Sequence, residues 1–85
     1  MCELLGFSSR KKRRQNDLLR EFYSHAQAHP HGWGLARFED GAAPQIEKEP
    51  VKATESETLR RILAYQAEKV YSPERRYARM EACHV

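Results

Sequence analysis

The sequence opens with the stretch MCELLGFSS, residues 1–9, and the rest of the chain is interpreted outward from it. Residues 3–8 are largely apolar, and Gly6 is followed by Phe7 and two serines, a pattern typical of a short buried strand that runs into a turn. We therefore expect a strand over residues 3–8 that anchors this part of the chain in a sheet. Cys2 directly precedes it.

A helix is expected next, over residues 17–28. Asn16 is a residue type that caps helices, and Pro30 ends any helix that reaches it. Apolar side chains recur between them at helical spacing and would form one buried face: Leu18, Leu19, Phe22, Tyr23 and Ala26.

Residues 32–50 predict an antiparallel hairpin. Trp33 lies between two glycines in a tight element, and residues 35–39 then alternate as in a half-buried strand. Asp40 and Gly41 are a turn signal. Residues 45–50 return as the second strand, with Ile46 expected to point inward.

A second amphipathic helix is expected over residues 56–70. Thr54 and Glu57 match a capping box, and apolar residues follow at helical spacing. Ser72 and Pro73 can begin another helical turn. Residues 74–85 contain few apolar side chains and show no clear structural partner. Residues 72–85 are therefore interpreted as a divergent C-terminal tail.

Size and composition predict one small α+β domain. The chain has 85 residues, of which 40% are hydrophobic and 32% charged, which is near the globular range. No apolar run approaches the length of a membrane span, and residues 1–7 lack the positively charged lead and the long apolar stretch of a secretory signal, so a cytoplasmic protein without a membrane partner is expected. The two cysteines, Cys2 and Cys83, are expected to be free thiols in a reducing compartment.

The net charge of +3 is concentrated in the run Arg10 to Arg14. This run could bind phosphate or act as a localisation signal, but it has no interleaved aromatic residues. A solvated loop is therefore preferred, and a nucleic-acid partner is not expected.

Cys2 is the strongest candidate for a catalytic residue. Its small side chain permits removal of Met1, which would leave the thiol beside a free α-amine with an ordinary pKa of about 7.7 to 8.0. That amine can accept the thiol proton during attack on a substrate, so one residue supplies nucleophile and base. The alternative is that Cys2 is a small buried hydrophobe.

Two motifs in order resemble those of class II glutamine amidotransferase-like proteins. The first is residues 1–9, and the second is HPHGWGLA, residues 29–36. The similarity also includes residues 17–23 and 46–50. Residues 1–71 are thus interpreted as the N-terminal part of such a domain.

The resemblance implies a partial N-terminal-nucleophile fold of the αββα type, in which two antiparallel sheets stack between helical layers. It implies glutamine as the substrate, hydrolysed through a γ-glutamyl thioester on Cys2 with release of ammonia. It also implies that a turn beside the nucleophile supports the substrate pocket, formed by His31, Gly32, Trp33 and Gly34. Without the resemblance, Trp33 would be interpreted as a core anchor at a turn.

The sequence departs from the family pattern in its last third. The family has a His-x-Arg-x-Ala-Thr strand and a His-Asn-Gly oxyanion turn, but only Arg76 to Ala78 echoes the first and Asn-Gly is absent. A truncated or frameshifted chain, or a fragment, would explain this. The alternative function is a non-catalytic module that binds a partner or forms a homo-oligomer through its helix faces.

No cofactor or metal is predicted. His25, His29 and His31 are close in sequence, but no cysteine or carboxylate completes a recognisable ligand set. They are interpreted as solvated histidines, and the pair Cys83 and His84 as part of a surface tail.

Overall fold

The computed structural model of the chain describes residues 2–39, 41–64 and 76–85. Within these ranges, four strands form one antiparallel sheet and two α-helices cover one of its faces. The strands are β1 (Glu3–Arg14), β2 (Trp33–Phe38), β3 (Gln45–Glu49) and β4 (Arg76–His84). The helices are α1 (Asn16–Tyr23), which continues as a 3-10 turn over Ser24–Ala28, and α2 (Glu57–Ala64), which follows a 3-10 turn over Ala53–Glu55. The expected α+β class is confirmed.

The strand order is β1-β4-β2-β3, so β4 lies inside the sheet. β4 pairs with β1 from Glu3 opposite His84 and with β2 from Trp33 opposite His84. The expectation that residues 74–85 have no structural partner is therefore wrong. The sequence showed no partner for this segment because both of its neighbours are distant in the chain, and only folding brings them alongside.

The core lies between the helices and one face of the sheet. Strand side chains alternate between the two faces, and those directed to the helices are buried in β2 and β4. The helices contribute the apolar stripes that their spacing predicted, except that Leu18 is 40% exposed. The principal buried residues are Leu19, Phe22, Tyr23, Leu35, Leu59, Ile62, Met80 and Ala82.

The opposite face of the sheet is uncovered by the described residues. Leu4 in β1 is 79% exposed and Ile46 in β3 is 60% exposed. The prediction that Ile46 points inward is wrong, because its register opposite Ala36 directs it to the face away from Leu35 and the helices. Together with Gly6, Gly34 and Ala36 these residues form what we call the open face, which the charged residues Lys48 and Glu81 also line.

β1 is longer than predicted and includes the basic run. Its pairing with β4 is regular to Ser8 and shifts register before Arg13. The side chains of residues 10–13 are exposed, as expected, but the run is part of a strand and not of a loop. Lys12 forms an ion pair with Glu39 at 3.2 Å.

Both predicted helix caps are different from those observed. Gln15 precedes α1, and the side chain of Asn16 instead donates hydrogen bonds to the last carbonyl groups of α2, at 2.9 Å to Leu63 and 3.4 Å to Ile62. At the start of α2, Ser56 and not Thr54 caps the helix, since its hydroxyl accepts from the Leu59 amide at 3.0 Å. The helical residues predicted at 65–70 and the turn at Ser72 lie outside the described residues.

In the described ranges, neither helix has the length and the apolar character that crossing a lipid bilayer requires.

Candidate active site

The pairing register of the strands brings residues of both family-like motifs to the same end of the sheet. Glu3, His84 and Trp33 lie side by side across β1, β4 and β2. Cys2 directly precedes β1 and is exposed, which excludes the alternative of a buried hydrophobe in the described structure. Cys2 therefore lies at the same end of the sheet as the turn that precedes Trp33.

The backbone of Val85 connects this turn to β4. The His31 amide donates to the Val85 carbonyl at 2.7 Å, and the Val85 amide donates to the Gly32 carbonyl at 3.0 Å. His31 itself is exposed, while Gly32, Trp33 and Gly34 are buried. These two backbone hydrogen bonds extend the β2–β4 ladder to the end of the sheet and hold the turn in place there.

The two glycines of the turn permit close packing against neighbouring strands. A Cβ at Gly32 would lie 3.1 Å from the Glu49 carbonyl oxygen, and one at Gly34 would lie 3.2 Å from the Cys83 sulfur. The Gly34 carbonyl also accepts a hydrogen bond from the buried hydroxyl of Tyr23 at 2.6 Å. Burial raises the pKa of Tyr23, so this hydroxyl stays protonated and remains a donor.

Trp33 is a core anchor in this structure, as the family-independent interpretation expected. It is 3% exposed, and its Nε1 donates to Glu49 at 3.1 Å. The same carboxylate oxygen accepts a hydrogen bond from the Ser56 hydroxyl. Trp33 thus ties β2 and β3 to the start of α2 and stabilises the turn from behind.

Beside Cys2, on the face that the helices cover, three imidazoles surround one carboxylate. Oε1 of Glu3 lies 2.7 Å from Nε2 of His84 and 3.7 Å from Nε2 of His29. Nδ1 of His25 lies 3.1 Å from both carboxylate oxygens. We call Glu3, His25, His29 and His84 the imidazole-carboxylate cluster. The hydrogen bond from His84, more than that from His25, holds the pKa of Glu3 below its usual range, against partial desolvation that raises it.

The sequence interpretation did not find this cluster. It expected solvated histidines and a surface tail, but His84 is 0% exposed and His29 is 8% exposed. Only His25 and His31 are exposed, as expected. The available signal was Glu3, whose strand spacing puts a charged residue on the same face as Leu5 and Phe7. His84 had no such signal, since the strand containing it was not predicted.

Comparison with known proteins finds a longer protein to which part of this chain is similar. The chain is 43% identical over 56 residues to the uncharacterized protein MJ1515 of Methanocaldococcus jannaschii. The alignment covers 66% of this chain but 16% of that protein, so the chain spans a small part of its relative's length. No protein-family model matches the chain, and no solved structure matches it.

Proposed function

We propose that this chain is the N-terminal part of a class II glutamine amidotransferase-like glutaminase domain, with Cys2 as the nucleophile. The observation that carries the proposal is that two motifs lie at the same end of the sheet. Cys2 directly precedes β1, and the turn of His31 and Gly32 is hydrogen-bonded there to Val85, which follows β4. The family resemblance assigns neighbouring roles to these two motifs. Sequence spacing alone does not require residues 2 and 32 to lie at the same end of the sheet.

The proposed chemistry uses groups of one residue. After Met1 is removed, the Cys2 sulfur attacks the side-chain carbonyl carbon of glutamine while the thiol proton passes to the α-amine. The carbon–nitrogen bond then breaks, the amine returns its proton to the leaving nitrogen, and ammonia departs. Water hydrolyses the γ-glutamyl thioester to glutamate and restores the thiol. The exposure of Cys2 is compatible with access by a small polar substrate.

The layer structure supports the proposed αββα fold. The described residues supply one helical layer and one antiparallel sheet, which is half of a four-layer arrangement. The open face carries Leu4, Ile46 and several small residues beside Lys48 and Glu81, and a second sheet stacked on it would bury its apolar part. In the proposed fold, a second antiparallel sheet packs against this face.

We expect the isolated chain to turn over glutamine very slowly. It has no Asn-Gly dipeptide, which supplies oxyanion donors in the family that it resembles. The loss of even one such donor reduces the rate by about 100- to 1,000-fold. Alkylation of the nucleophile is therefore a better test than turnover.

The test is modification of the full chain, produced in cells, by a diazoketone analogue of glutamine. Intact mass and N-terminal sequencing first establish whether Cys2 is the terminal residue. We expect alkylation at Cys2, slowed by excess glutamine, with Cys83 as the internal control that reacts only with a general thiol reagent. A retained Met1, or equal reaction of both cysteines without protection by glutamine, would contradict the proposal.

A second candidate is the non-catalytic homo-oligomer. The open face favours it, but with the sheet and not the helices as the contact surface. The apolar helix faces that the sequence interpretation offered for self-association are buried in the core, at Leu19, Phe22, Leu59 and Ile62. The exposed apolar surface is instead on the sheet, at Leu4 and Ile46. A second copy of the chain would cover this face by sheet-on-sheet packing.

Sedimentation of the chain separates the two candidates. A stable dimer that dissociates in the variant Leu4→Glu/Ile46→Glu, but not in the matched variant Leu18→Glu on α1, supports the self-associating module. A monomer at all concentrations excludes it. Alkylation of Cys2 is scored independently of the oligomeric state.

A further inference from the structure

We propose that the imidazole-carboxylate cluster binds a divalent transition metal of the zinc type through His29, His84 and Glu3. One ligand atom from each of these three residues lies within 4.8 Å of the other two. The ligands come from three separated segments: β1, the loop that follows the 3-10 turn Ser24–Ala28, and β4. This site is separate from the thiol chemistry proposed for Cys2 and does not depend on it.

The geometry requires only small side-chain movements to hold an ion. Zinc binds imidazole nitrogen and carboxylate oxygen at about 2.0 to 2.2 Å, which puts neighbouring ligand atoms of a tetrahedral site about 3.3 Å apart. Oε1 of Glu3 lies 2.7 Å from the Nε2 atom of His84 and 3.7 Å from that of His29, on either side of this separation. The two imidazole rings stack with centroids 4.4 Å apart and planes at 30°, so both nitrogens can approach the same carboxylate.

Burial and charge also favour a cation. His84 and His29 are enclosed by the core, and Glu3 brings one negative charge beside them. Neutral imidazoles with one carboxylate are a common ligand set for zinc, and burial lowers competition from water. His25 contacts both oxygens of Glu3 and is suited to hold the carboxylate in place as an outer partner of the site.

The site would keep one coordination position open. Three protein ligands leave a fourth position for water, and the side chain of Glu3 is 35% exposed, so solvent can reach the cluster. Zinc binds imidazole nitrogen that carries no proton and carboxylate in its ionised form, so binding should weaken as the pH falls.

The experiment uses the tag-free full chain with Cys2→Ser and Cys83→Ser, which removes both thiol ligands. We expect Zn²⁺ to bind with one ion per chain and to raise the thermal unfolding midpoint, and Co²⁺ to give the visible absorption of a four-coordinate nitrogen and oxygen site. Glu3→Gln and His29→Gln should abolish both signals. His25→Gln should weaken binding by about 10- to 100-fold, as loss of an outer partner does. His31→Gln, an exposed histidine outside the cluster, is the matched control for metal binding and should leave the zinc affinity and the cobalt spectrum unchanged.

A measurement on the chain with native cysteines does not rely on any variant folding. X-ray absorption at the zinc edge should show nitrogen and oxygen neighbours without sulfur. The proposal is overturned if the thiol-free chain shows no saturable binding, if sulfur is the principal neighbour, or if Glu3→Gln and His29→Gln bind as tightly as the His31→Gln control.

Discussion

Glu3 and His84 are 81 positions apart in the sequence, yet the Glu3 carboxylate lies 2.7 Å from the His84 imidazole at one end of the sheet. Because His84 is fully buried, this contact sets the position of the β1 end relative to β4. The same carboxylate is central to the proposed metal site and adjacent in sequence to the proposed nucleophile. Its protonation should therefore be measurable as a change in stability.

The chain should lose stability in acid through Glu3. The pKa of Glu3 is lower in the folded chain than its usual value of 4.5, chiefly because His84 donates a hydrogen bond to the ionised form. A carboxylate with a lowered pKa stabilises the fold above its ordinary pKa, and this contribution disappears as the pH falls through the folded value. Thermal unfolding without metal, followed from about pH 6 to about pH 3, should show a shallower decline in Glu3→Gln than in the unmodified chain. Glu55→Gln, at an exposed position, is the control, and an unchanged slope in Glu3→Gln would contradict the assignment.

Asn16→Ala should destabilise the chain by about 1 to 3 kcal/mol, because it removes the hydrogen bonds from a buried amide to the Ile62 carbonyl and to the Leu63 carbonyl, of which the latter keeps a second donor in Arg20. Asn16 is 2% exposed, and its amide donates to Leu63 and Ile62. Denaturant unfolding measures the loss. The neighbouring change Asp17→Ala is the control: its side chain is 87% exposed, and the expected effect is within about 0.5 kcal/mol. Equal effects of the two changes would show that Asn16 does not join the helices.

Ser56→Ala should cost about 1 kcal/mol, with the loss of an N-cap as the cause. The Ser56 hydroxyl accepts from the Leu59 amide and donates to Glu49, so its removal affects both α2 and the Trp33 contact. Thr54→Ala, the cap that the sequence pattern indicated, should have little effect because Thr54 is exposed in the preceding turn. Denaturant unfolding of both variants decides between the two caps. A larger loss for Thr54→Ala would reverse the assignment.

Gly34→Ala should destabilise the chain by about 1 to 3 kcal/mol through overpacking. The added methyl group would meet the Cys83 sulfur at 3.2 Å. Gly6→Ala is the matched control in β1, where no atom lies within 4 Å of the added group, and it should be neutral or slightly stabilising.

Removal of the Cys83 sulfur tests the cause of the destabilisation by Gly34→Ala. In the background of Cys83→Ala, the cost of Gly34→Ala should fall markedly, and the difference is the coupling energy of the two sites. Equal costs in both backgrounds would show that contact with the Cys83 sulfur is not the cause of the loss.

The elements that local sequence determines were predicted correctly. The hairpin of β2 and β3 follows from its turn residues and alternation, and α1 with its 3-10 extension follows from the apolar spacing between Asn16 and Pro30. In each of these the deciding interactions join residues close in the chain. Which face of a helix is buried is likewise a local property, and Leu19, Phe22 and Leu59 are buried as their spacing indicated.

Tertiary structure decided the pairings between distant segments. The central position of β4, the outward direction of Ile46 and the use of Asn16 to bond α2 all depend on partners far away in sequence. The imidazole-carboxylate cluster formed in the same way, since no spacing relates Glu3 to His84 until β1 and β4 pair. Short-range propensity carries no information about such contacts, because their stability comes from burial and register that exist only after the chain has folded.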